Sequence, residues 1–374
     1  MQRACVVALL LTSSTIAHAE DESPPLSIYG FARLDILAND SRMSSLDQPE
    51  FVEREPAAGQ LDSAMTMTPR LSRIGISIDE WDVTDRMFKG DGKLEVDFGG
   101  AGDGTSAIRL RHAYASINMK HRVELLAGQT IDLISPLFPA AQNDTQLRYA
   151  GNLGDRRPQL RLSMLPTNKL TVAVAAAAKG VLDQTDMDHD GQIDAMASAK
   201  PMLQWLVEAR LPGIKQSTIR IGFSGHAGSS ELADRTSIGS SSVGMHFFAP
   251  WGQRLILLGE GYVGKNMAEL GGGIGQGVNP MTTKPIHSAG GWLELATFPT
   301  KRHMLALGAS GDSARASDLE IGDRETNSTV YGVLRYKPRP ALQLGLEYLH
   351  WRTGYKEMSD GQANRFDMHF SVFF

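Results

Sequence analysis

The sequence predicts an all-β protein, a sixteen-stranded antiparallel transmembrane β-barrel with short periplasmic turns and long extracellular loops. Three observations carry that expectation. Many segments of about ten residues alternate apolar with polar, the period of a strand with one face in lipid and one in water. The chain holds 38 glycines, yet few stretches have the 3.6-residue period of a helix. It also lacks an apolar run of the roughly 18 residues that a spanning helix needs.

Taken in order, residues 1–19 read as an export signal: Arg3 gives a positive start, Val6 opens an apolar run, and Ala17, His18 and Ala19 form a small-x-small cleavage pattern. The mature chain would begin at Glu20, with a short segment over 20–25 and the barrel over 26–374. Cys5, the only cysteine, leaves with the signal, which excludes a disulfide, a thiolate nucleophile or a cysteine metal site. Losing Arg3 moves the formal charge from −5 to −6, a balance that argues against nucleic-acid binding.

Strands are expected near 26–38, 65–79, 89–99, 106–118, 121–130, 157–165, 168–180, 199–211, 216–224, 238–248, 253–264, 285–297, 301–310, 327–337, 340–351 and 364–374. An even number suits a closed single-chain barrel, and closure leaves no backbone edge unpaired in hydrocarbon. Connections alternate in length. A polar stretch over 40–63 contrasts with tight joins such as Met119-Lys120 and Pro212-Gly213; the join over 80–89 fits least well. Leu94, Val96 and Phe98 should face lipid and Lys93, Glu95 and Asp97 water; Ile219, Ile221 and Phe223 alternate likewise against Arg220. Tyr336, Tyr348 and Trp351 are expected as interfacial rings. The run 255–258 is too uniformly apolar to orient. In the closing "RFDMHFSVFF", Phe366, Met368, Phe370, Val372 and Phe374 would face lipid and Asp367, His369 and Ser371 water, making the strand that pairs with the first.

Sixteen strands, an early "IYGFARLD", "IRLRHAYASI" over 108–117, "LLAGQTIDLISP" over 125–136 and a terminal Phe resemble the bacterial outer-membrane porin superfamily, and most closely the DcaP-like porins. The resemblance implies an outer-membrane homotrimer passing small organic acids, especially di- and tricarboxylates. It implies contact with outer-membrane lipid and lipopolysaccharide, and a terminal Phe374 read by the outer-membrane assembly machinery. A barrel starting this close to Glu20 leaves no room for the N-terminal coiled coil of some members, so trimerisation would rest on the barrel wall.

In such pores the connection after the fifth strand folds into the lumen, here 131–156, holding Asp132, Asn143, Asp144, Gln146, Arg148 and Tyr149. With Arg70, Arg73, Arg109, Arg111, Arg156, Arg157 and Arg161 it gathers eight arginines. Arginine offers paired donors to a carboxylate at any working pH, and a cluster in a narrow mouth raises the local anion concentration. The competing reading is a cross-lumen brace on Glu95, Asp97, Asp132 or Asp155, without net selectivity. Arg70 and Arg73 both face inward only if a bulge intervenes near Pro69.

A second motif is "DMDHDGQID" over 186–194, inside the loop 181–198. Asp186, Asp188, Asp190, the carbonyl of Gln192 and Asp194 match the first part of a calcium loop, with Gly191 at its sharp turn; position 12 is Ala197 instead of Glu, so the ion would be weakly held and structural. No cofactor is required. "GGGIGQG" over 271–277 lacks the βαβ context of a phosphate loop, and no HExxH pattern occurs. Barrel enzymes need a catalytic constellation near the rim; Asp234, Ser241 and His246 obey no spacing rule.

The function expected is therefore a passive diffusion channel for small hydrophilic solutes with a preference for anionic organic acids, and not an enzyme. The alternatives are a phosphate-type anion porin and an adhesive barrel with calcium-stiffened loops.

Overall fold

The structure, a computed structural model, describes residues 25–55, 63–84, 87–142 and 145–374. The expected export signal, with Asn143 and Asp144, lies outside the described residues. One antiparallel sheet closes on itself through sixteen strands: β1 (Leu26–Asn39), β2 (Ala64–Thr68 and Arg73–Thr84), β3 (Phe88–Asp97), β4 (Arg109–Met119), β5 (Val123–Ile131), β6 (Arg156–Thr167), β7 (Leu170–Ala177), β8 (Met202–Pro212), β9 (Thr218–Glu231), β10 (Ser237–Trp251), β11 (Leu255–Lys265), β12 (His287–Thr300), β13 (His303–Ala314), β14 (Arg324–Arg339), β15 (Leu342–Tyr355) and β16 (Gly361–Phe373). Each strand pairs with its chain neighbours, and β16 returns to β1 with Phe31 opposite Phe373. Gly30 and Phe374 exchange backbone hydrogen bonds at 3.1 Å and lock that seam.

The strand β2 is one barrel strand in two pieces, because its first segment pairs with the outer half of β1 and its second with the inner half. Between them the Ser72 N–H reaches the Pro69 carbonyl at 2.8 Å in a tight turn. Proline cannot donate to a ladder, so the expected bulge is a full break. Arg70 and Arg73 leave it on the lumen side. The join expected over 80–89 is shorter than that, since Trp81 and Asp82 still pair with β3 across two bulges.

Outward positions are apolar along the wall, as in the run Phe366, Met368, Phe370 and Val372, while Asp367, His369 and Ser371 are buried on the inner side. Leu94 and Phe98 point out and Glu95 and Asp97 in. With alternate residues committed to lipid, a slip of one residue would reverse both faces, which fixes the register.

Joins at one rim are tight, such as 120–122, 168–169, 301–302 and 340–341, whereas the other rim carries L1 (40–63), L2 (98–108), L3 (132–155), L4 (178–201), L6 (266–286) and L7 (315–323). L1, L3 and L6 dip into the lumen, and the core sits there. Met43 and Val52 of L1 and Ala140, Ala141, Leu147 and Ala150 of L3 pack on Ala296, Tyr331, Val333, Leu349 and Trp351 of the wall. Trp351 therefore departs from its expected interfacial place. With Leu344, Leu346 and Tyr348 outward, the parity of β15 sends Trp351 inward, where it is fully buried. The run that resisted orientation resolves similarly: Leu258 faces in, packed on Leu137 of L3 and Trp292.

Candidate functional site: an arginine-lined constriction

L3 crosses the lumen because the wall offers acceptors to its backbone at successive steps. Gln204 of β8 accepts the Leu133 N–H at 2.8 Å. Glu260 of β11 accepts Leu137 N–H at 2.7 Å and the Ser135 hydroxyl. Glu294 of β12 accepts Ala140 N–H at 2.6 Å, and Glu347 of β15 accepts Gln142 N–H at 2.9 Å. A buried amide without an acceptor costs about 1–3 kcal/mol, so this staircase defines where the loop lies. At Gly151, φ is +110° and an added Cβ would meet the Gly291 and Gly311 carbonyl oxygens at 2.4 and 2.5 Å. Only glycine lets the loop rest on bare wall backbone there.

The predicted arginines divide into groups. On β2 and β4, Arg73, Arg109 and Arg111 converge on two carboxylates of β3. Arg111 bonds Glu95 at 2.9 Å and Asp97 at 2.7 Å, Arg109 bonds Asp97 at 2.8 Å, and Arg73 lies 3.4 Å from Glu95. A bulge leaves Arg111 without a cross-strand partner between the Leu110 and His112 pairings, so Arg111 and His112 are both buried on the lumen side. Tyr29 and Lys93 complete the shell of Glu95 at 2.7 and 3.2 Å.

In the second group Arg148 of L3 binds Asp155, and Arg156 lies 3.3 Å from the same carboxylate. Burial would raise the Asp155 carboxyl, but the two guanidinium groups hold it at about 2, well below its ordinary 3.8. Arg109, Arg148 and Arg156 line one small cavity with Phe138 and Asp155, so the two groups meet across the gap between wall and loop.

The remaining three serve as internal braces. Arg157 is fully buried between Asp132 at 2.7 Å and Glu269 at 2.5 Å. Arg70 is buried on Asp47 of L1 at 3.0 Å and on the Ala101 carbonyl at 2.9 Å. Arg161 bonds Gln159 at 3.0 Å and the Ile131 carbonyl. Asp132, placed among the solute-facing residues by sequence, is instead buried, and it also accepts Gln204 at 2.7 Å.

Sequence reasoning missed Glu269 and the wall glutamates. The glycine run after Glu269 folds into the lumen with L6, its Gly271 carbonyl accepting Tyr149 N–H at 2.7 Å and its Leu270 carbonyl accepting Gly154 N–H at 2.8 Å. Gly271, Gly273 and Gly275 all take positive φ, so the glycine spacing itself was the available signal for a tightly coiled segment. Asp234, Ser241 and His246 do not converge: Asp234 is exposed in an external turn, Ser241 is partly exposed at the external end of β10, and His246 is buried against Glu208 at 3.2 Å.

In L4, ligand oxygens of Asp186, Asp188 and Asp194 lie within 4.8 Å of one another. Asp186 accepts the Asp190 and Gly191 N–H groups at 3.1 and 2.9 Å, curling the loop. Asp190 is turned away onto Gln192 N–H at 2.7 Å, and Ala197 sits in the short helix Asp194–Ala197. Burial and the nearby Asp188, Asp186 and Asp183 push the Asp194 carboxyl up. Three oxygen-bearing side chains of the predicted set thus come together, and Asp190 does not.

A closed barrel of sixteen strands with an inward third loop defines the porin fold. Among solved structures the chain is similar to the outer membrane channel DcaP of Acinetobacter baumannii, at 17% identity with a TM-score of 0.78, over 96% of this chain and 100% of that one. It is also similar to an anion-selective porin from Comamonas acidovorans, at 10% identity and 0.63, over 94% and 100%. The third is OprB of Pseudomonas putida, at 10% and 0.58, over 93% and 94%. No protein-family model matches the sequence, and no curated protein matches it.

Proposed function

We propose that this chain is a passive outer-membrane diffusion channel that favours small anionic solutes, carboxylates above all. The carrying observation is which charge meets water. The Arg73 and Arg109 side chains keep 26% and 25% of their surface exposed, while their partners Glu95 and Asp97 keep 2% and none. A passing solute meets guanidinium donors with the carboxylates behind them. Those donors match a carboxylate in shape and charge, and low-dielectric walls focus their field. No cofactor and no reaction are needed.

Purified protein in a planar bilayer under a KCl gradient should show step conductance with a reversal potential biased toward chloride, and succinate should reduce the chloride current. A cation-biased reversal potential would overturn the preference, and a silent barrel would overturn the channel. Phosphate blocking better than succinate would mark a phosphate-type porin instead.

The partners we propose follow from the same reading: three copies in the outer membrane, and an assembly machinery that reads Phe374. We also propose that L4 binds a structural calcium ion through Asp186, Asp188 and Asp194, with the Gln192 carbonyl. Oxygen ligands suit calcium, and extracellular sites bind at about 10⁻⁴–10⁻³ M. Calorimetric titration with Ca²⁺ should give heat that Asp188→Ala abolishes; identical traces would remove the site.

A further inference from the structure

Beneath L3, on the lumen side of the short-turn rim, the wall of β12 to β15 opens into a cavity of about 290 Å³, close to the roughly 300 Å³ at which small-ligand sites begin. Strand parity builds its floor. Ala296 pairs with Ala306 and both are buried toward the lumen, so Phe298 and Met304, two residues nearer the turn, face the same way. They pack on the cluster that holds L3 and stay half-buried, which leaves apolar surface beside the water of the pore. Met304 pairs with Arg335 of β14, whose guanidinium reaches the Ala140 carbonyl of L3 and closes the inner end.

Charge is distributed unevenly along this cavity. At the inner end Arg335 is committed to L3 and sits in the field of Glu294 and Glu347, which themselves bond L3 amides. At the mouth Lys301 and Arg302 of the turn and Lys337 of β14 are exposed. None of these three makes an ion pair among the described residues. Lys337 instead lies over the Phe373 ring at 5.5 Å, an arrangement that holds its charge without neutralising it. Residues 297–304 and 335–343 contain neither Asp nor Glu, in a chain whose formal charge is −5. The cavity is thus cationic at its mouth and apolar within.

We propose that this vestibule is a second solute site, separate from the arginine constriction, for a monocarboxylate with an apolar body. The carboxylate is held by Lys301, Arg302 and Lys337, and the body lies inward on Phe298 and Met304. The order of charge and apolar surface chooses this occupant. An inorganic anion would use the mouth and leave Phe298 and Met304 wet. A dicarboxylate of the same length would push its second charge onto the apolar floor and toward Glu294 and Glu347, at a cost in desolvation. The inference deepens the channel reading above by naming a solute class that pauses below L3, and it rests on that reading for the passage of solute.

The test is hexanoate binding to the purified barrel in deuterated detergent, followed by saturation-transfer NMR. Hexanoate should take up more saturation at its methyl end than at the methylene beside its carboxylate, as a tail-inward pose requires. Lys301→Gln with Arg302→Gln should weaken binding about fivefold or more, the loss expected for two exposed charge contacts. Phe298→Ser, or Met304→Gln should the first fail to fold, should weaken it with the charges intact. Lys120→Gln with Arg122→Gln, the same charge loss elsewhere on that rim, should leave it unchanged. Adipate, equally long with a carboxylate at each end, should bind wild type more weakly than hexanoate. Heat-modifiable gel mobility confirms that each variant is folded. Equal hexanoate binding by wild type and the Lys301/Arg302 variant would overturn the site, and adipate binding as tightly as hexanoate would overturn the solute class. Binding is read without conduction, so a barrel that takes hexanoate but shows no chloride bias keeps the site and loses the anion preference, whereas chloride bias without hexanoate binding does the reverse.

Discussion

The two sides of the constriction use buried charge in opposite ways. On the β2 to β6 side, arginines bind carboxylates yet keep part of each guanidinium toward water, as Arg73 and Arg109 do. On the β11 to β15 side, Glu294 and Glu347 are buried, Glu260 is half-buried, and all three accept backbone N–H groups of L3. A carboxylate satisfied by amides has nothing left to offer a solute, and it fixes a loop. An arginine has five donors in a planar fork, so it can bind a neighbour and still present a face. The pore thus separates holding from selecting.

The holding side should respond most strongly to mutation. Glu260→Ala with Glu347→Ala leaves the Leu137 and Gln142 amides without acceptors, at about 1–3 kcal/mol for each buried group. L3 should leave the wall, conductance should rise and anion bias should fall, while heat-modifiable mobility shows an intact barrel. An unchanged conductance would mean that the remaining Gln204 and Glu294 bonds, with the apolar contacts of Ala141 and Leu147, suffice to hold L3.

A brace among the arginines should behave like the glutamates. Arg157→Ala strands Asp132 and Glu269 together in the interior, and removing one partner of a buried pair costs about 3–5 kcal/mol. Thermal unfolding should move down clearly, with the single-channel reversal potential less affected than by any change at Arg73 or Arg109. A large selectivity change at unchanged stability would put Arg157 on the solute path.

The smallest effect is expected from acid. Because Asp155 is held at about 2 against an ordinary 3.8, its pairing stabilises L3 above the ordinary value and is lost as pH falls through about 2. Conductance noise attributable to L3 should therefore stay flat from neutrality down to about pH 4 and grow below it. Asp155→Asn should show that noise at neutral pH.

Much of this architecture is legible in the chain because a transmembrane barrel commits alternate residues to lipid. Phe366, Met368, Phe370 and Val372 declare their face, and short turns declare the opposite rim. Arginines two apart, such as Arg109 and Arg111, were readable as a lumen ladder. Glu260, Glu294 and Glu347 were not, since a lumen-facing carboxylate looks the same whether it meets water or a loop amide. Trp351 misled for a related reason: a ring near a strand end suits the interface, and only contact with L1 and L3 makes the lumen side apolar. Which arginines keep water and which lose it depended on L6, whose Glu269 lies 112 residues from Arg157.

The central claim is that water-facing guanidinium groups set the preference for anions. It is tested most directly by the reversal potential of Arg73→Gln with Arg109→Gln in a planar bilayer under a KCl gradient, beside wild type. The account predicts that the chloride bias shrinks or inverts, because Glu95 and Asp97 then face the pore with fewer partners, and that the shift is larger at 0.1 M than at 1 M salt, as screening from about 10 Å to 3 Å requires. An unchanged reversal potential in a folded, conducting double variant would contradict it.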